Sequence, residues 1–257
     1  MTALIFDCDG VLADTERYGH LPAFNQTFRE FGLPVQWTEE EYGAALRIGG
    51  GKERMASLLT PAFVAEAGLP TDAEGQAAEV AKWHQRKTQL YVEMVRAGEL
   101  PPRPGIARIV AEARASGWQL AVCSTSAEPS VRAILENAVG AEAAAGFLIL
   151  AGDVVPAKKP APDIYLLALE RLGVAPTECV VVEDSRNGLL AATAASLATV
   201  VTVNGYTRDE DFSEAALVVS SLGGPDSEPI EVLADRADVR PGTFIMLSDL
   251  HACVGHV

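Results

Sequence analysis

Asp7 and Asp9 stand two residues apart in Asp7-Cys8-Asp9-Gly10-Val11, directly after the apolar run Leu4-Ile5-Phe6. Two carboxylates at that spacing offer a nucleophile and a neighbouring acid/base. Other apolar runs also end in residues that can do chemistry. Leu120-Ala121-Val122-Cys123 leads into Ser124 and Thr125, Cys179-Val180-Val181-Val182 leads into Glu183 and Asp184, and between them lies Lys158-Lys159-Pro160-Ala161-Pro162-Asp163. Taken singly, each has an ordinary structural use. Asp-x-Asp-Gly is a common turn, Ser124 suits a helix N-cap, with Thr125 or Ser126 as the contact instead, and Glu183-Asp184 suits a helix start. Gathered at one place, the carboxylates would repel one another strongly. A hard divalent cation removes that cost, and magnesium suits one or two carboxylates plus phosphate oxygens and water.

The elements that would gather them follow from the hydrophobic pattern. Short unalternating runs at 4–6, 120–123, 147–150, 179–182 and 199–203 read as buried parallel strands. Helical stretches separate them at about 106–116, 129–138, 163–172 and 187–195. This is an α/β doubly wound, Rossmann-like parallel sheet, in which ligands sit beyond the carboxyl ends of the strands. From about 17 to 98 no strand is expected. Leu21, Phe24, Phe28 and Phe31 recur at helical spacing, and Trp83, Leu90 and Met94 suggest a second helix. The expected organisation is a core of residues 1–16 and 99–222, an inserted all-helical module of 17–98, and a C-terminal extension of 223–257 that the pattern does not place.

Composition narrows the function classes. The 257 residues are 49% hydrophobic and 21% charged, which fits a folded globular chain. Net charge is −15, so the surface repels phosphate backbones and anionic lipid, and neither a nucleic acid nor a membrane is an expected partner. Cys8, Cys123, Cys179 and Cys253 are scattered, which suits a reducing compartment. The first residues do not read as a signal peptide. A cytoplasmic monomer is expected, or a stromal protein if the chain is a processed plastid form.

The ordered set Asp7-Cys8-Asp9-Gly10-Val11, Ser124, Lys159 and Glu183-Asp184 resembles the four motifs of the haloacid dehalogenase superfamily, and the helical insertion resembles that superfamily's cap. The resemblance implies Mg²⁺-dependent phosphoryl transfer. In it Asp7 attacks phosphorus, Asp9 protonates the leaving alcohol and then activates water, and Ser124, Thr125 and Lys159 hold phosphoryl oxygens. Asp7, Asp184 and the Asp9 carbonyl hold the metal, and Glu183 ligates it directly or through water.

In a chain of net −15, two cationic groups in the insertion call for an explanation: Gly49-Gly50-Gly51-Lys52-Glu53-Arg54 and His84-Gln85-Arg86-Lys87. A glycine-rich turn beside cations suits an anion. These groups, with Asp14-Thr15-Glu16, His20 and Lys158–Tyr165, resemble the CbbY group, sugar bisphosphate phosphatases acting on xylulose 1,5-bisphosphate, an inhibitor of Rubisco. By that likeness Gly50, Gly51, Lys52, Glu53, Arg54, His84 and Lys87 grip the distal phosphate and sugar hydroxyls. Glu16 and His20 line the cleft, with Gly19 as a candidate one-residue insertion between them. A closing cap would exclude water. A β-phosphoglucomutase resembles the chain in the same core motifs and in Arg86-Lys87. A phosphatase of another small metabolite, a phosphonatase using Lys52, or a non-catalytic sugar-phosphate sensor are the further alternatives.

Overall fold

Strand β1 (Ala3–Phe6) is buried at every position, as a central strand covered on both faces must be. The computed structural model describes residues 2–48 and 50–256, so Gly49 of the glycine run and the two end residues of the expected domains lie outside the described residues. The remaining strands are β2 (Gln119–Ser124), β3 (Phe147–Ala151), β4 (Cys179–Glu183), β5 (Ala198–Thr202), β6 (Leu217–Val219) and β7 (Val232–Asp235). They form one sheet in the order β3-β2-β1-β4-β5-β6-β7, parallel except for β7. The chain leaves β1 toward β2 and β3, then returns to place β4 on the other side of β1. The strand order therefore reverses between β1 and β4, the position where open α/β sheets hold ligands.

Two compact units divide the chain: Met1–Asp14 with Pro101–Val257, and Thr15–Leu100. Among the described residues the regular elements of the second unit are all helices: α1 (Leu21–Glu30), α2 (Glu39–Ala45), α3 (Gly51–Ala56), α4 (Pro61–Glu66) and α5 (Ala73–Arg96). A π-helical turn at Glu16–His20 precedes α1. One extra residue in a helix is what a π-turn absorbs, and buried Gly19 sits within it. One expectation shifts here. Phe31 lies past the end of α1 and is 39% exposed. Trp83, Leu90 and Met94 do lie on one helix, whose buried seam runs through Val80, Trp83, Lys87, Tyr91 and Val95. Its spacing is helical, but a lysine occupies one step, and a count of apolar residues skips it.

In the first unit α6 (Ile106–Ala115), α7 (Glu128–Val139), α8 (Ala141–Ala144), α9 (Asp163–Leu172) and α10 (Arg186–Ala194) connect the parallel strands. Gly105 stands at the start of α6, and Ser185 caps α10 by accepting from the Gly188 amide at 3.2 Å. The extension after residue 222 belongs to this unit. It supplies β7 at the sheet edge and α11 (Leu247–Cys253). Arg108 of α6 fastens it by donating to the carbonyls of Leu222, Gly223 and Ile245, with its guanidinium 4.8 Å from the Phe244 ring centre.

Candidate active site

Asp7 follows β1 directly, and Glu183 ends β4, so the two neighbouring central strands deliver carboxylates to one edge. Lys159 joins them. Its ammonium donates to Asp7 Oδ1 at 2.6 Å, to Glu183 Oε1 at 2.7 Å and to the Cys123 carbonyl at 2.9 Å. All three Nζ protons are thereby used. Burial alone would lower the Lys159 pKa, but the two carboxylates outweigh it and hold the ammonium well above its ordinary range.

Asp7, Glu183 and Asp184 are buried, and an oxygen of each lies within 4.8 Å of the others. Burial pushes Asp7 up to about 8, with Lys159 opposing and Glu183 and Asp9 adding to the rise. Asp184 is driven well above the carboxylate range by burial, then by Glu183 and Asp7. One ammonium does not neutralise three carboxylates. Such a cluster fits a hard divalent cation with oxygen ligands, the chemistry expected of Mg²⁺.

Glu183 and Asp184 differ in how they are held. Glu183 Oε1 receives Lys159 and the Tyr165 hydroxyl, while Oε2 receives the Asp184 amide at 3.1 Å and Ser185 Oγ at 3.4 Å. A carboxylate has about four acceptor sites, and these contacts engage four. Asp184 Oδ2 takes one hydrogen bond, from Asn204 Nδ2 at 2.7 Å. Two glycines make room. A Cβ on Gly188 would fall 2.0 Å from the Glu183 carboxyl, and one on Gly10, at φ +80°, would fall 2.0 Å from Asp184 Oδ2.

The Asp9 carboxylate lies outside this acidic cluster and accepts from Ser126 Oγ at 2.5 Å. Ser124 is buried, and its Oγ accepts from the Ser126 amide at 3.1 Å, so the loop after β2 closes on itself beside Asp9. Thr125 is exposed. Lys158 faces solvent and pairs with Asp153 at 2.9 Å.

The helical unit holds a second polar cluster. Lys87 is buried on α5, donates to His20 Nδ1 at 2.9 Å, and lies 4.6 Å from the Phe24 ring centre and 5.2 Å from that of Tyr91. Because an ammonium only donates, His20 Nδ1 must accept, and the neutral ring carries its proton on Nε2. Burial, then Lys87 and Arg54, hold His20 well below its ordinary pKa. The Arg54 guanidinium is buried, donating to the Ala45 carbonyl at 3.1 Å, the Ile48 carbonyl at 3.4 Å and the Tyr42 hydroxyl at 3.0 Å. That hydroxyl in turn donates to Glu16. Lys52 and Glu53 are exposed, Gly51 and His84 half-buried, and Gly50 adopts φ +89° with Glu53 close beside it. His84 is lowered by burial, then by Lys87 and Lys52. Arg86 turns away, paired with Glu30 at 2.6 Å.

Sequence reasoning missed Tyr165, Asn204 and Arg103, and left Ser126 as a substitute for Ser124. A signal existed for Tyr165 and Arg103. A tyrosine on a helix just after Lys159, and an arginine between prolines in a turn, are polar groups where the pattern asks for none.

Residues 1–196 match the haloacid dehalogenase-like hydrolase family. A CBBY-like protein of Arabidopsis thaliana is 48% identical over 90% of this chain and 72% of its own length. Protein CbbY of Rhodobacter capsulatus is 42% identical over 91% of this chain and 99% of its own. Among solved structures, a CbbY variant from Rhodobacter sphaeroides in complex with xylulose-(1,5)bisphosphate has a TM-score of 0.72 at 40% identity, covering 88% of this chain and 98% of that one.

Proposed function

The chain belongs to the haloacid dehalogenase-like hydrolase family, and we propose that it is a Mg²⁺-dependent phosphatase that converts a sugar bisphosphate, xylulose 1,5-bisphosphate, to xylulose 5-phosphate and phosphate. One observation carries this reading: Lys159 bridges Asp7 and Glu183 within a buried three-carboxylate cluster, with a second aspartate two residues beyond Asp7. The substrate follows the bisphosphate bound to the related CbbY protein.

Asp7, Asp184 and the Asp9 backbone carbonyl would hold Mg²⁺, with Glu183, whose acceptor sites are engaged, acting on it through water. The ion would offset charge on the transferring phosphoryl group. An Asp7 oxygen forms a bond to phosphorus as the bond from phosphorus to the sugar oxygen breaks, giving an aspartyl-phosphate. Asp9, held by Ser126, gives its proton to the leaving sugar oxygen. In the second half-reaction the Asp9 carboxylate takes a proton from water, which attacks phosphorus and frees Asp7. Ser124 holds a phosphoryl oxygen, and Lys159 holds another by exchanging one of its three present acceptors for it.

The helical unit supplies recognition of the distal phosphate and the sugar hydroxyls. Lys52, His84 and the backbone at Gly50 and Gly51 take the anion, while His20 and Glu16 meet hydroxyls. Arg54 shapes the turn with three of its five N–H groups, on the carbonyls of Ala45 and Ile48 and the Tyr42 hydroxyl, and keeps two for the anion.

The test is phosphate release across pentulose and hexose mono- and bisphosphates, with Mg²⁺ and with EDTA, scoring isomerised sugar phosphate in parallel. Release from the pentulose bisphosphate, lost in EDTA and in Asp7→Asn, is expected. Turnover surviving in Asp7→Asn would reject the nucleophile, and isomerisation without release would assign a mutase.

A further inference from the structure

Arg103 stands in the return segment Pro101-Pro102-Arg103-Pro104-Gly105, where the chain re-enters the sheet unit. Each of its four terminal N–H groups meets a backbone carbonyl. Nη1 donates to Gly10 and to Thr202 at 3.0 Å, and Nη2 donates to Val203 at 2.7 Å and Ser220 at 2.6 Å. These carbonyls belong to the loop after β1, the end of β5 and the end of β6, so one planar fork ties three sheet ends together.

Two of the groups read as holding the cation, the Asp9 carbonyl and the Asp184 carboxylate, connect to that fork. On one side, Gly10 is gripped at its carbonyl by Arg103 and at its amide by the Ala13 carbonyl, 2.9 Å away. The Gly10 amide shares a peptide plane with the Asp9 carbonyl. Fixing both ends of Gly10 therefore fixes where the Asp9 carbonyl points. The surrounding backbone reinforces this: the Arg103 amide donates to the Leu12 carbonyl at 2.9 Å, and Ala13 bridges Pro102. On the other side, the held carbonyl of Val203 immediately precedes Asn204, whose side chain binds Asp184. Asn204 Oδ1 is itself set by the amides of Tyr206 and Thr207, at 2.8 and 3.2 Å.

We infer that Arg103 is a positioning residue for divalent-cation binding, setting the Asp9 carbonyl and, through Asn204, the Asp184 carboxylate. The inference rests on the reading of those groups as the holders of Mg²⁺. Lysine does not replace it, because an ammonium has three N–H groups where four carbonyls converge, and it lacks the planar fork.

The experiment is calorimetric titration of MgCl₂ into wild type, Arg103→Lys and Arg103→Gln, with the fold of each checked by circular dichroism and by its melting temperature in EDTA. The expected result is Mg²⁺ binding weakened at least about 10-fold in Arg103→Lys at a temperature where the variant is folded. The Mg²⁺ concentration for half-maximal phosphate release rises by a similar factor, while KM for the sugar phosphate at saturating Mg²⁺ stays unchanged. Unchanged Mg²⁺ affinity in both variants overturns the inference, whatever happens to the melting temperature, and leaves Arg103 a general fastener. Loss of the fold even at saturating Mg²⁺ overturns it likewise. Wild type that binds no Mg²⁺ rejects the proposed function itself and removes the premise.

Discussion

The Tyr165 hydroxyl donates to Glu183 Oε1 at 2.5 Å, on the same oxygen that Lys159 reaches at 2.7 Å. Burial and the Glu183 charge hold the phenol well above its ordinary pKa, so it stays a donor. The Lys159 ammonium also lies 4.9 Å from the Tyr165 ring centre. Tyr165 thus seats both the lysine and its carboxylate partner without standing at the sheet edge itself.

Tyr165→Phe keeps the ring under Lys159 and removes only the hydroxyl. Glu183 is then a fully buried carboxylate one donor short, a loss of roughly 1.5–3 kcal/mol for a hydrogen bond to a charged group. Urea unfolding monitored by fluorescence and circular dichroism measures it. A difference below about 0.5 kcal/mol would mean that water replaces the hydroxyl at once.

Removing the cation should leave the three-carboxylate cluster short of positive charge. Adding Mg²⁺ to wild type at about 100 times its dissociation constant is expected to raise stability by about 2.7 kcal/mol, or roughly 5–10 °C in melting temperature. Asp7→Asn removes one proposed ligand and is expected to lose most of that rise while melting close to wild type in EDTA. Differential scanning calorimetry with and without Mg²⁺ checks both. An undiminished rise in Asp7→Asn would place the cation elsewhere.

The residues at strand ends were legible because a buried parallel strand announces itself as an apolar run and the next residues must lie at the sheet edge. Asp7, Glu183 and Asp184 fall out of that rule, and Lys159 out of its loop. What the sequence hides is the support behind them. Arg103 reaches carbonyls 93 to 117 residues away, and Asn204 reaches Asp184 across 20, so nothing local names the partners of either. The helical unit shows a different limit. Arg54 sits in a glycine-rich cationic run that reads as an anion site, and in the structure its buried guanidinium also donates to the carbonyls of Ala45 and Ile48, just before that run, and to the Tyr42 hydroxyl. The π-turn at Glu16–His20 leaves no periodic signal of its own, and the structure places His20 of that turn on Lys87.

His20 gives the helical unit a pH dependence with a definite sign. Its folded pKa lies well below the ordinary 6.5, from burial first and then from the Lys87 and Arg54 charges. Below that ordinary value the unfolded chain binds a proton that the folded chain refuses. Stability is therefore full above about pH 6.5 and falls as pH drops, by at most about 1.4 kcal/mol per pH unit for one proton. His84, lowered as well, adds in the same direction. His20→Gln retains an acceptor for Lys87 and cannot titrate. Its melting temperature should fall less than that of wild type between pH 7 and pH 5, and equal slopes would show that His20 titrates normally.

Lys52 separates recognition of the far phosphate from chemistry at the near one. It is exposed at the start of α3, so Lys52→Met disturbs no buried contact. If Lys52 meets the distal phosphate, the substitution removes a charge-assisted hydrogen bond of about 1.5–3 kcal/mol. That is a fall of roughly 10- to 150-fold in kcat/KM for the bisphosphate. A monophosphate lacking that group never makes the contact, and its turnover should change by less than about 3-fold. The loss should appear in kcat as well as KM, because binding at the far end aligns the near phosphate with Asp7. Steady-state phosphate release on the matched pair of substrates measures all four constants. Equal losses on both substrates would mean that Lys52 acts on the phosphate being cleaved, or on the fold, and the assignment of the helical unit to the distal group would fall.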